Sequence, residues 1–151
     1  MFWQKKYPSM RCLAWYLAVA APLPLWLTIV ILQSKTPDFL WLAQAPFTCL
    51  LLVLAYPLLE EIVFRGLIQG ALINRVPCQA SYMGITVANV FTSMLFAAAH
   101  LYAHPAMMAA LVFFPSLIFG YFRDRFDGWL LPSTLLHIYY NLGYFLIFKP
   151  V

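Results

Sequence analysis

Charge is what this chain has least of: Asp, Glu, Lys and Arg make up 9% of its 151 residues, against 64% hydrophobic residues. A soluble domain cannot cover its surface with so few charged groups, so the solvent must be largely lipid. The mean hydropathy of +0.83 points the same way. Cysteine is scarce too. Cys12, Cys49 and Cys78 are odd in number and lack CxxC spacing, so they read as small apolar residues, with a catalytic thiol as the lesser alternative. Low-complexity tracts, internal repeats and linker-like composition are absent, which predicts one membrane domain over residues 1–151. The net charge of +4 is spread singly or in pairs at segment ends. With no basic stripe and no aromatic platform, it predicts no nucleic-acid partner and serves instead as a topology signal. The start, Met1-Phe2-Trp3-Gln4-Lys5-Lys6, lacks a small-residue cleavage site, so the first apolar segment is expected to be an uncleaved span.

A helix needs about 20 apolar residues to cross the hydrocarbon core. Leu13 to Leu32 supplies the first candidate, with Pro22 and Pro24 expected to kink it. Phe39 to Ile73 is too long for one simple span, and Pro46 and Pro57 are the places where it would divide. Tyr82 to Tyr102, Ala106 to Phe122 and Trp129 to Phe148 follow. The expected fold is therefore all-α: a polytopic transmembrane bundle of five spans, six if the long region divides, around a polar cavity. With five spans, alternation from a cytoplasmic N-terminus places Lys5, Lys6, Arg11, Arg75, Arg123 and Arg125 inside, and only Lys35 and Lys149 outside. Arg65 is left within a span. Trp3, Trp41 and Trp129, near segment ends, fit interfacial anchoring. The expected setting is the cell membrane, of prokaryotic inner-membrane type.

Against this background three polar motifs stand out. Glu60-Glu61-Ile62-Val63-Phe64-Arg65 follows an uncharged run from Phe47 to Leu59. Ionisable groups at membrane depth cost several kcal/mol each, so three together point to use. Glu61 and Arg65 have the i,i+4 spacing of a helical ion pair, acid first. Glu60 points about 100° away and must do a different job, such as general base for a water. A pair that merely locks two helices would not explain the second glutamate. Phe96…His100 ends a stretch of small residues, and His104 lies one turn further, at the expected membrane edge. His137…Asn141 sets two polar groups on one face; both side chains can donate to an oxyanion, or make an interhelical contact. At 1.5 Å per residue, His100 lies about 27 Å from Tyr82 and His137 about 12 Å from Trp129. The third helix must tilt or begin later if the motifs are to meet.

In order, EExxxR, FxxxH and HxxxN resemble the CAAX protease and bacteriocin-processing (CPBP, or Abi) family of intramembrane proteases, over roughly residues 47–148. The resemblance implies a helical bundle with a water-accessible cavity and glutamate-type peptide hydrolysis without a cofactor. On that pattern Glu60 and His100 activate a water, Glu61 and Arg65 support the site, and His137 and Asn141 stabilise the oxyanion. Spacing does not settle which glutamate is the base; Glu60 is the preferred assignment. Zinc is the chemical rival, since two histidines and a glutamate suffice for a catalytic zinc. The substrate implied is a membrane-anchored protein. The short chain further resembles the small sorting proteases, of which the JDVT-CTERM system is one, that process C-terminal tails made of a motif, a single helix and a basic end. Two other readings compete: a small proton-coupled transporter lined by the same groups, and a non-enzymatic immunity or scaffold protein.

Overall fold

A computed structural model of the chain describes the backbone of residues 8–148 and the side chains of residues 13–148. Lys5, Lys6, Trp3 and Lys149, and the side chains of Arg11 and Cys12, lie outside the described residues. Helices dominate. They are α1 (Pro8–Ala20), α2 (Leu23–Leu32), the short α3 (Trp41–Gln44), α4 (Pro46–Ile73), α5 (Val87–His100), α6 (Ala106–Leu111), α7 (Phe113–Arg125) and α8 (Leu131–Ile147). The chain is all-α, as its composition implies. A two-stranded hairpin of β1 (Ser81–Tyr82) and β2 (Ile85–Thr86) is the only sheet among the described residues. Three helical stretches are long and apolar enough to cross a membrane, namely Leu13–Leu32, Pro46–Ile73 and Ala106–Arg125. Val87–His100 is a shorter apolar helix.

The breaks follow local chemistry. Asp38 Oδ1 accepts from the backbone N–H groups of Leu40 (2.8 Å) and Trp41 (3.2 Å) and so starts α3. Ala45, at φ −131° and ψ 59°, is driven out of helical geometry by the proline that follows it. The long region therefore divides at Ala45–Pro46 and not at Pro57. Pro57 is absorbed because α4 widens into π turns over Leu50–Ala55 and again over Glu61–Gln69. The third segment also begins later than Tyr82. Met83 (φ 51°) and Gly84 (φ 82°) make the tight turn of the hairpin, and the Thr86 hydroxyl caps α5 by accepting from Asn89 N–H at 3.0 Å. That start shortens the count to His100 to about 20 Å.

The chain sorts into two compact units. The first comprises Met1–Tyr56 with Ile138–Val151. Here the Tyr140 hydroxyl donates to Ala18 O (2.7 Å), and Trp26 packs edge-on to Tyr139 at 5.4 Å. Any side chain at Gly143 would overlap the Trp26 ring, so that close approach depends on glycine. Trp41, expected as an interfacial anchor, is instead buried, its ring 6.1 Å from Phe145. A position that looked terminal in sequence is folded back onto α8 by the chain reversal before it.

The second unit, Pro57–His137, has the inverted character of a membrane protein. Its fully buried side chains include Glu61, Arg65, Gln69, Asn89, Thr92, Ser93 and Ser116, while Leu58, Leu59, Leu67, Phe91, Met94, Leu95 and Phe114 face outward. Glu61, Arg65 and Gln69, each four residues from the next, form one buried polar ridge along α4. That ridge and Asn89 of α5 bind backbone carbonyls of α7: Arg65 to Ser116 O, Asn89 to Leu117 O (2.9 Å) and Gln69 to Gly120 O (3.0 Å). Gly120 leaves no room for a Cβ beside the Asn89 side chain, so the helices meet there at glycine. At one end of the unit the Thr86 hydroxyl donates to Asp124 (2.7 Å), and Arg123 holds Asp124 at 3.0 Å.

Candidate active site

Glu60 and Glu61 fall where α4 passes into its second π turn, and they are treated very differently. Glu61 is completely buried, whereas the Glu60 side chain keeps 32% of its surface open. His137, six residues into α8, lies between them: Nδ1 is 3.0 Å from Glu61 Oε1, and Nε2 is 3.4 Å from Glu60 Oε2. A carboxylate only accepts, so Nδ1 carries a proton and Glu61 fixes the orientation of the ring. The contact on the other side is attractive when a proton lies between Nε2 and Glu60.

Arg65 stands 3.6 Å from Glu61 Oε2 through Nε, too far for a good hydrogen bond but close enough to neutralise the carboxylate. Its Nη2 donates instead to Ser116, at 2.9 Å to Oγ and 3.1 Å to the carbonyl. Two aromatic rings sheath this charge cluster. The guanidinium lies 4.9 Å from the Phe96 ring and 5.9 Å from Phe119. His137 stacks on Phe119 at 4.7 Å and meets the edge of Phe96 at 5.7 Å. Water is excluded from the inner side, which strengthens each electrostatic contact there.

His100 reaches the cluster through Phe96. Its ring lies 4.5 Å from Phe96, the ring that also touches His137, and its Nδ1 donates to Phe96 O at 2.9 Å. Nε2 is thereby left as the acceptor nitrogen. Glu60, Glu61, Arg65 and His137 are thus joined by direct contacts, and His100 is linked to them through the Phe96 ring. Zinc catalysis would need His100, His137 and a glutamate around one point. Among the described residues no three His, Cys, Asp or Glu side chains are grouped to hold a metal.

Asn141 lies one turn beyond His137 on α8, and its Nδ2 donates to Leu52 O at 3.0 Å. The partner has a local cause: Pro57 has no N–H to return to the carbonyls of the preceding wide turn, and Leu52 O is one of them. The amide has a second N–H to give elsewhere. Asn141→Ala is expected to lower the thermal stability of the detergent-solubilised protein by about 1 kcal/mol. The loss should shrink in a Pro57→Ala background, where an N–H returns. An equal loss in both backgrounds would show that Leu52 is not what Asn141 satisfies.

Sequence reasoning did not single out Ser116 or Phe119. A serine directly after Pro115 within an apolar span was a signal; nothing local marked Phe119.

The family model described as "Type II CAAX prenyl endopeptidase Rce1-like" matches residues 41–143. An uncharacterised 24.3 kDa protein of Escherichia coli is 31% identical over 121 residues, which is 80% of this chain and 50% of that protein. The chain therefore spans about half the length of the curated relative it matches. No solved structure matches it.

Proposed function

The chain belongs to the Rce1-like family of type II CAAX prenyl endopeptidases, and from that premise we propose that it is a multi-pass intramembrane endopeptidase of glutamic type. It hydrolyses a peptide bond near the membrane-anchored C-terminal segment of a substrate protein. The observation that carries this reading is His137 held between Glu61 at 3.0 Å and Glu60 at 3.4 Å, with only Glu60 open to an incoming water. Glu60, with the acceptor Nε2 of His100 assigned as the second group on the water, takes a proton from that water as its oxygen attacks the scissile carbonyl. His137, oriented by Glu61, donates through Nε2 to the oxyanion as it forms. The C–N bond then breaks and the proton on Glu60 passes to the leaving amine. Arg65, tied to Ser116, holds the Glu61 side chain in place. No cofactor enters the scheme.

The substrates proposed are proteins with a short motif, one transmembrane helix and a basic end, of the sorting-tail kind, in a prokaryotic inner membrane with the N-terminus of this chain cytoplasmic. Co-expression with a panel of such tails, and with a prenylated CAAX protein, followed by intact-mass spectrometry is the test. A tail shortened only in the presence of this chain is expected. Every substrate recovered at full mass, with the chain correctly inserted, would overturn the proposal.

A further inference from the structure

We propose that His100 and His104 form a two-imidazole site for a divalent transition metal such as Zn²⁺. The helical path continues past α5 for one more turn, with His104 N–H donating to His100 O at 2.9 Å. The two side chains therefore share a face, their rings stacked 18° from parallel with centroids 5.8 Å apart. The second observation is the contact His100 makes with its own helix. Its Nδ1 lies 2.9 Å from Phe96 O, a group that can only accept, which leaves the lone pair on Nε2. A ring nitrogen held by a backbone carbonyl on the opposite side is how metal-binding histidines are oriented. His104 is exposed and free to swing its ring, so its nitrogen can reach the roughly 2.0–2.1 Å that zinc requires. Neutral imidazole suits borderline divalent ions such as zinc, copper and nickel, with water completing the shell.

The site has a consequence that rests on the hydrolysis reading above. A metal on His100 Nε2 occupies the lone pair assigned there to water activation, so the metal is an inhibitor and not a cofactor. His104, which has no part in that scheme, is the residue that makes inhibition possible.

The chain has three histidines, so the assignment is easily isolated. Calorimetric titration of the purified full chain with Zn²⁺ is expected to show one site. His104→Ala should weaken binding at least tenfold, and His137→Ala should leave it unchanged. No binding by the native chain, unchanged binding by His104→Ala, or loss in a folded His137→Ala protein would overturn the site. In a cleavage assay Zn²⁺ should stop the native chain while His104→Ala cleaves equally well with or without it. Equal zinc sensitivity of the two would overturn the inhibitory role. Because the titration reads metal and not cleavage, failure of the hydrolysis proposal would leave its result standing.

Discussion

Glu60→Gln should reduce substrate cleavage by about a hundredfold to ten-thousandfold, the range that a positioned general base contributes, with membrane insertion and thermal stability unchanged. Glutamine keeps the size of the side chain and can still meet His137 Nε2, but it cannot take a proton from water. Stability should hold because Glu60 is the partly open member of the pair, with 32% of its side chain exposed, and carries no buried charge that others must balance. Glu61→Gln should behave differently. It removes the negative charge that faces both His137 Nδ1 and the buried Arg65, so it is expected to lower rate and stability together. The contrast separates the two carboxylates in a way that a loss of activity alone does not. Full cleavage by Glu60→Gln would show that the base is another group; a melting temperature that fell as far as for Glu61→Gln would show that Glu60 is structural.

Arg65→Leu is expected to be the most destabilising single change in the second unit. Breaking a buried ion pair from one side leaves the other charge uncompensated, at about 3–5 kcal/mol. His137 remains beside Glu61, which places the expected loss near the lower bound, and the two bonds to Ser116 go with it. Converting Glu61 to Gln in the same protein removes the orphaned charge, so Glu61→Gln/Arg65→Leu should recover a good part of the lost stability although neither variant cleaves. Thermal unfolding of the three proteins in one detergent measures this directly. A double variant less stable than Arg65→Leu alone would mean that Glu61 and Arg65 are not coupled as drawn.

Much of the architecture could be read from local chemistry. Nine per cent charge in a 64% hydrophobic chain leaves helices in lipid as the way to satisfy the backbone, and the apolar runs gave the approximate position of each helix. The boundaries that failed did so for reasons that lie in hydrogen bonds. Tyr82 belongs to a hairpin because Met83 and Gly84 adopt positive φ and Thr86 finds Asn89 to cap. Pro57 does not break its helix because the turns around it widen and Asn141, 89 residues beyond Leu52, covers the freed carbonyl of Leu52. Trp41 is buried because Phe145 comes back over it, which no count of nearby residues reveals.

The amino-acid order alone determined that this is a helical membrane protein with three polar motifs too costly to be incidental, and the ordered spacing of those motifs pointed to the family. Only the tertiary structure decided their arrangement: that His137 stands between the two glutamates, that Arg65 is anchored by Ser116, and that Phe96 and Phe119 close around the charges. The reason is separation along the chain. Periodicity and composition act over one or two helical turns, whereas the Glu61–His137 contact joins residues 76 apart and the Arg65–Ser116 contact residues 51 apart. Such distances close only when whole helices pack, and the depth at which each helix begins then selects which side chains meet.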